Sequence, residues 1–145
     1  MATSTLIQFI DAGESASTSH RSQEETFLAG GAIAAGDWVS LDTTQTGADK
    51  ALYVIEAAGG AAGSGLPCGV ALEAAASGDQ VRVCIAGYCA SASVLNAVAA
   101  AGVPLRISAT AGAADAATGG AEAVIGTSLA AAAANVAEVW VYKRF

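Results

Sequence analysis

Short strand-like segments recur through most of the chain: 38–42, 51–56, 68–72, 80–88, 102–108, 123–129 and 136–145. Apolar and polar residues alternate most clearly in 38–42 and 80–88, whereas 51–56 is rich in β-branched and aromatic residues and 68–72 is a short apolar run. Because side chains on a strand point alternately to its two faces, this period of two predicts β-strands. Stretches rich in Gly, Ala, Asp and Ser separate the segments and favour turns. The pattern predicts a mainly β fold with a small β-barrel or sandwich-like body.

One segment departs from the period of two. Residues 92–101 are rich in alanine, and Val94, Leu95 and Val98 lie close to helical spacing. This composition predicts one or two turns of helix at that point. We expect at most one short helix in the chain, because the other segments lack such a pattern.

The first 25 residues differ in composition from the rest. A short apolar run that could anchor the chain to a partner consists of Leu6, Ile7, Phe9 and Ile10. The polar stretch that follows it, as far as Glu25, buries too little surface to order itself alone. We therefore predict an extended N-terminal arm at 1–25 and a single β-rich domain at 26–145. The alternative is an ordinary edge strand and loop of that domain.

Two parts of the domain, about 33–88 and 99–145, resemble each other. Each contains a Gly before a strand, a loop, a strand of the form x-Gly-x-x-Leu, an Ala-rich turn and a last alternating strand. Aligned in this way, Trp38 and Trp140 fall at roughly equivalent positions. Such internal similarity predicts a body built from two similar strand sets.

The net charge limits the classes of partner. The chain has 145 residues, with 13 acidic and 6 basic side chains, a formal charge of −7 at pH 7 and a pI near 4.4. An acidic surface repels phosphate groups, so we expect no nucleic-acid binding. No stretch approaches the ~18 large apolar residues of a transmembrane helix, and no signal peptide is recognisable. We expect no membrane partner, and synthesis in a cytosol.

Candidate catalytic and metal-binding groups are few. His20 is the only histidine, and its polar surroundings offer no packed neighbours to hold it for acid–base catalysis. Cys84 and Cys89 do not have a zinc-ligand spacing. Together with Cys68 they are expected to be reduced and buried, and a Cys68–Cys84 or Cys84–Cys89 disulfide formed in an oxidising medium is the alternative. We expect no enzymatic activity, no cofactor and no metal.

Two motifs and a following Gly carry a resemblance to a known family. The first motif is Ile-Ala-Ala-Gly-Asp-Trp-Val at 33–39. The second is Cys-Gly-Val-Ala-Leu-Glu-Ala-Ala-Ala-Ser-Gly-Asp-Gln-Val-Arg-Val at 68–83, and Gly87 follows. In this order they resemble the head decoration, or capsid cement, proteins of tailed bacteriophages. A weaker copy of the second motif normally ends chains of that family, as 125–141 does here.

The resemblance covers about residues 27–145 and implies a structural function. It departs at Val103-Pro104, where the family has a second Gly-Asp-like turn. Proteins of the family are small β-rich bodies, often trimeric, that lie on the capsid exterior between major capsid subunits, commonly with help from a polar N-terminal arm. The resemblance therefore implies the phage major capsid protein and further copies of the chain as partners. It also implies a place on the outside of the virion after synthesis in the host cytoplasm.

Aromatic residues and scarce cations are the candidate contacts with such partners. Trp38 and Trp140 either fill the core or lie at an oligomer interface, where aromatic side chains are enriched. Arg82 and Arg106 either are solvated or pair with acids of a neighbouring subunit, and the same holds for Lys143 and Arg144. The apolar run of the arm could add a strand to the edge of a capsid sheet.

Two other functions stay open. A phage fibre or spike module, or a surface adhesin module, shares the β-rich composition without catalytic residues, and its location would distinguish it. Less favoured is a biotinyl- or lipoyl-like carrier domain, whose strands resemble 35–39 and 53–57. That family carries its cofactor on a lysine in the following turn, where Ala58-Gly59-Gly60 stands here.

Overall fold

The structure is a computed structural model that describes residues 21–59, 66–119 and 123–144. The strands of these residues are β1 Ser22–Ala29, β2 Trp38–Leu41, β3 Tyr53–Glu56, β4 Pro67–Ala71, β5 Gln80–Ser93, β6 Pro104–Ile107, β7 Ala114–Ala116, β8 Gly126–Ser128 and β9 Val136–Val141. A 3-10 helix occupies Gly47–Ala51. No helix in these ranges is long and apolar enough to cross a membrane. The predicted mainly β class is confirmed.

The first five strands form a closed barrel. They pair in the order β1-β3-β2-β4-β5, and β5 pairs again with β1. The β1–β3 pairing is parallel and the others are antiparallel. The interior is filled mainly by medium-sized side chains, including Phe27, Val39, Val54, Val81 and Val83. Such a narrow barrel needs few large residues, which suits the Ala- and Val-rich composition.

The second strand set repeats these pairings with β5 as the shared strand. Beyond Gly87, β5 pairs with β9, β9 with β8, β8 with β6 and β6 with β7, all antiparallel. A single parallel bridge between Val94 and Ala114 takes the place of the β1–β3 pairing. The chain therefore consists of two similar strand sets joined through one 14-residue strand, as the fold-class prediction expected.

Matched backbone hydrogen bonds fix how the two sets correspond. Gly36 N donates to Ala71 O at 2.8 Å, and Gly102 N donates to Ser128 O at 2.7 Å. In the strands that follow, Trp38 lies opposite Val70, and Pro104 lies opposite Thr127. Pro104 is therefore the counterpart of Trp38.

The predicted equivalence of Trp38 and Trp140 is wrong. Trp140 lies opposite Thr127, whereas the residue opposite Val70 on β5 is Cys84. The counterpart of Trp140 is therefore Cys84. The Ala-rich turns of the two sets differ in length, and composition alone does not reveal that difference.

The predicted helix at 92–101 is also wrong. Residues 92 and 93 end β5, Val94 bridges to β7, and turns follow. Ala92, Val94 and Val98 are all buried in the core that also contains Leu105 and Val139. Burial of these side chains against the second set outweighs the helix propensity of the alanines. The short helix lies instead at Gly47–Ala51, which was expected to be a loop or hairpin tip.

The boundary of the predicted arm lies too far along the chain. β1 begins at Ser22 and pairs with β5 from that residue onward, so Ser22–Glu25 belong to the barrel. Their polarity is compatible with a strand because β1 starts at the exposed rim, and the burial of apolar side chains begins at Phe27. The apolar run of the arm (Leu6, Ile7, Phe9 and Ile10) and His20 lie outside the described residues.

The two motifs at 33–39 and 68–83 contain turns that lie at one end of the barrel. Gly36 and Gly78 both have φ of +90°, a conformation that glycine adopts without strain. Ile33 and Ala75, which precede the two glycines, exchange backbone hydrogen bonds of 2.9 and 3.0 Å. The motifs therefore supply turns at this end of the first barrel together with adjoining residues of β2, β4 and β5.

Candidate functional site

A pair of carboxyl groups lies where the two strand sets meet. Asp37 is only 9% exposed, and its Oδ2 accepts a 2.8 Å hydrogen bond from Ala34 N. Burial, together with the hydrogen bond and charge of Asp37, raises the pKa of Glu56. Gly112 packs on Asp37 so closely that an added Cβ would lie 2.7 Å from the carboxyl group. The pair therefore lies at a close contact between the two strand sets.

The cysteines are likewise part of the interior. Cys68, Cys84 and Cys89 are free thiols, each buried. Burial raises the pKa of Cys68 to about 12. A hydrogen bond with Cys89 and burial raise the pKa of Cys84. Within the described ranges, no group of three or more His, Cys, Asp or Glu side chains is placed to hold a metal ion.

A shallow groove opens where β1, β5 and β9 come together. Gly87 of β5 lies opposite both Ser22 of β1 and Val141 of β9. Its φ is +89°, and an added Cβ would collide with the Arg21 carbonyl, so only glycine permits this approach. The groove has a volume of about 460 Å³. Its walls include Arg21, Ser22, Gly87, Trp140, Tyr142 and Lys143.

Strict alternation along β9 places two aromatic side chains on the outer surface. Ala137, Val139 and Val141 are buried, whereas Trp140 is 39% and Tyr142 is 41% exposed. Both are much more exposed than buried core residues, and both line the groove. Large apolar surface of this kind, when contiguous, marks sites of interaction.

Polar partners hold the surroundings of these aromatic residues in place. Tyr142 Oη and Thr127 Oγ1 form a short hydrogen bond. On the other side, Tyr88 lies opposite Trp140, and burial and the charge of Glu138 raise the pKa of Tyr88. Because β5 pairs with both β1 and β9, this face is pre-formed and loses little freedom on contact with a partner.

The sequence predicted four residues for an oligomer interface, and the structure places them in different environments. Trp38 is 1% exposed, so it is a core residue and presents no surface to a partner. Arg82 lies 3.4 Å from both Glu24 and Glu73, and Arg106 lies 3.6 Å from Asp115.

Both arginines therefore have ion-pair partners inside the chain. Trp140 is the one of the four candidates whose large apolar side chain reaches the surface.

The neighbours of Trp140 were not found from the sequence. Tyr142 follows it two residues later, whereas Tyr88 comes from β5 and Arg21 directly precedes β1, and the pairing of β5 with β1 and β9 brings these to it. A signal was present in β9, where the period of two from Val136 to Tyr142 places both aromatic residues on the polar side of the strand.

The fold is that of a closed β-barrel continued by a second strand set. No family model matches the chain, and no curated protein matches it. Among solved structures, the chain is similar to the head fiber gp8.5 N base in bacteriophage phi29. The match covers 83% of this chain and 94% of that chain, with a TM-score of 0.56 and 15% sequence identity. The two chains therefore share a fold.

Proposed function

We propose that the chain is a structural, non-enzymatic protein of a bacteriophage head. The observation that carries the proposal is the likeness to the head fiber base of phi29, which extends over both strand sets. The motifs at 33–39 and 68–83 support the same class, because they resemble those of phage head decoration proteins. These two observations are independent, since one rests on backbone shape and the other on residue order.

Within this class we propose a decoration or cement role on the outer surface of the shell. The protein binds the major capsid protein between neighbouring subunits, as a homo-oligomer for which the family resemblance implies three copies. Its location is the exterior of the virion, after synthesis in the host cytoplasm. A compact body of two joined strand sets can bridge more than one capsid subunit, so each bound copy restrains their separation.

The N-terminal arm is the proposed attachment to the shell. The described domain begins at Arg21, on the wall of the groove, so the arm joins the body at that surface. The segment 11–20 can span up to ~35 Å if fully extended. Burial of the apolar run (Leu6, Ile7, Phe9, Ile10) against the shell would contribute about 1.5–3 kcal/mol per side chain before the cost of ordering.

Binding to particles tests the proposal. Virions or expanded heads that lack the protein are mixed with purified chain, sedimented and imaged by electron cryomicroscopy. We expect density for the two strand sets outside the shell at a regular position, and a higher temperature of genome release from the decorated particles. Absence of the chain from sedimented particles would contradict the head assignment.

Variants of the arm separate attachment from folding. We expect substitution of the apolar run by serine (L6S/I7S/F9S/I10S) to abolish particle binding while the thermal unfolding of the free protein is unchanged. The matched control is a shuffled order of residues 11–20, which keeps length and polarity and should bind normally. Normal binding by the serine variant would refute the role of the arm.

A fibre base on the head is the second candidate, because the similar phi29 chain is described as the base of a head fiber. The same particles distinguish the two functions. A cement protein covers the shell at a copy number close to that of its binding positions and raises particle stability. A fibre base carries a projecting segment and leaves the release temperature of the genome unchanged.

A further inference from the structure

Two of the three buried thiols lie on either side of the bend in β5. Cys84 and Cys89 are both in this strand, separated by an odd number of positions. In a regular strand this spacing would point their side chains to opposite faces, with the two Cα atoms ~17 Å apart. Instead, both side chains belong to one core, which also contains Leu105 and Val139. The bend at Gly87, whose φ is +89°, therefore turns the two cysteines toward the same space.

Contacts of the sulfur atoms show that the two residues are neighbours. Cys84 Sγ lies 3.5 Å from the carbonyl oxygen of Ala86 and 3.7 Å from that of Tyr88, the residue that precedes Cys89. A hydrogen bond between the two thiols lowers the pKa of Cys89 to about 7. The sulfur atoms therefore face each other across the bend, as formation of an S–S bond of ~2.05 Å requires.

The third cysteine lies in the other core. Cys68 belongs to the barrel interior together with Phe27 and Val54. Its Sγ lies 3.6 Å from the carbonyl oxygen of Leu66, and it is 1% exposed, as Cys84 is. Cys68 is therefore an internal reference, because it is equally buried but belongs to a different core from the pair.

We propose that Cys84 and Cys89 form a reversible disulfide that fixes the bend of β5 when the protein meets an oxidising medium. The thiolate of Cys89 attacks a small disulfide such as oxidised glutathione, which gives a mixed disulfide and releases one glutathione thiolate. The Cys84 thiol then loses its proton and attacks the Cys89 sulfur, which releases the second glutathione. Overall, two protein thiols lose two electrons, and one glutathione disulfide is reduced to two thiols.

An irregular part of β5 next to Cys89 provides a route for the reagent. The register of the pairing between β5 and β9 shifts between Cys89 and Ala92. The two residues between them, Ala90 and Ser91, are exposed. Because exposed and irregular backbone opens more readily than a regular ladder, oxidation of the native protein should be slow without requiring global unfolding.

The disulfide would act at the point where the two strand sets join. Both β1 and β9 pair with β5 at Gly87, and in the reduced protein non-covalent contacts alone hold the bend. A cross-link over it restricts the unfolded chain and so stabilises the folded form. The change of surroundings rests on the proposed function, since a virion protein leaves the reducing cytosol when the host is lysed. The disulfide itself is tested on the free chain, without particles.

Peptide mapping is the first test. The reduced native chain is incubated with oxidised glutathione, a second sample is refolded from denaturant in the same buffer, and remaining thiols are blocked before digestion with trypsin. Cleavage after Arg82 and after Arg106 puts the pair in one peptide and Cys68 in another. We expect the first peptide to be lighter by two hydrogen atoms and Cys68 to carry the blocking reagent. Three blocked thiols on either route, or a disulfide that includes Cys68, would overturn the proposal.

Thermal unfolding is the second test. We expect oxidation to raise the Tm of the parent chain by at least about 3 °C, and reduction to reverse the rise. The matched control C68A should show the same rise, whereas C84A and C89A should show none. A rise that persists in C84A would reject this pair, and a cross-linked parent chain with an unchanged Tm would show that the disulfide does not fix the bend.

Discussion

Gly112 lies against the carboxyl group of Asp37, and this contact joins the β6–β7 turn of the second strand set to the β1–β2 turn of the first. An added Cβ on Gly112 would lie 2.7 Å from both Cγ and Oδ1 of Asp37. Next to this contact, Trp38 N donates a 2.8 Å hydrogen bond to the carbonyl of Gly112. The two sets are therefore fixed to each other by close backbone approach as well as through β5.

We predict that Gly112→Ala lowers the free energy of unfolding more than the same substitution at a turn glycine with open space around it. Gly112 has φ of +71°, so alanine there carries a backbone strain of about 1–3 kcal/mol in addition to the collision with Asp37. Gly102→Ala is the matched control, because Gly102 has φ of +83° but open space around its Cβ position. Chemical denaturation should show a larger loss for G112A than for G102A. Equal losses would mean that the contact with Asp37 is unimportant.

The raised pKa of Glu56 predicts a pH dependence of stability. Since the folded pKa lies above the ordinary value of 4.5, the folded protein binds protons more readily than the unfolded chain between those two values. The contribution of Glu56 is fully present below pH 4.5 and is lost as the pH rises through its folded pKa. Glu56→Gln should remove this decline in the free energy of unfolding. Glu25→Gln, on the exposed rim, controls for the change in net charge.

The lowered pKa of Asp42 predicts a pH dependence of stability with the opposite sign. Its carboxylate accepts hydrogen bonds from Thr44 Oγ1 at 2.6 Å, Gln45 Nε2 at 2.7 Å and Thr44 N at 3.0 Å. These bonds, that from the Thr44 side chain foremost, lower the pKa of Asp42 below 3.8. Its contribution is therefore present above pH 3.8 and is lost as the pH falls through the folded pKa.

We predict that Asp42→Ala costs about 2 kcal/mol at pH 7, since it removes hydrogen bonds to a charged group. The cost should shrink as the pH is lowered toward 2, because the carboxyl group of the parent chain becomes protonated as the pH falls through its folded pKa. Urea denaturation at both pH values measures it. A cost that is the same at both would exclude the charged hydrogen bonds as its source.

Because the three thiols are buried, we predict that a thiol reagent modifies the native protein slowly. Cys68, with a pKa of about 12, contributes almost no thiolate at pH 8. The hydrogen bond between Cys84 and Cys89 raises the pKa of Cys84 and lowers that of Cys89 to about 7, so Cys89, which is 3% exposed, is protected by its burial alone. A thiol reagent at that pH should leave all three cysteines unmodified over minutes, and should titrate three after denaturation. Ala99→Cys, at an exposed turn position, is the positive control. Fewer than three thiols in the denatured chain would reveal a disulfide and overturn the free-thiol state.

Alternation predicted β5, whose first residues have a buried and an exposed side, whereas β4 was predicted from its apolar composition and is buried along its whole length. The period of two alone was therefore not sufficient, and it could not predict β7, whose sequence Ala-Asp-Ala has no strand preference. That strand is ordered by its pairing with β6, by the Arg106–Asp115 ion pair and by the bridge to Val94. The predicted helix at 92–101 failed for the same reason, since long-range packing decides the conformation of alanine-rich segments.

The candidate surface was predictable only in part. Trp140 was a candidate because it is one of two tryptophans. Its exposure depends on the register of β9, because a slip of one residue would move its side chain to the buried face. The partners that make it a surface feature come from strands far apart in the sequence. Their convergence depends on the bend of β5 at Gly87, where both β1 and β9 meet it.

The groove, which both Arg21 and Lys143 line, also brings the two ends of the described domain near each other. A short linker could therefore join these ends, and the chain could be opened anew at the exposed 3-10 helix Gly47–Ala51, which contains no buried residue. Such a circular permutant would keep every strand pairing while moving the attachment point of any fused cargo from the β9 side to the β2–β3 connection.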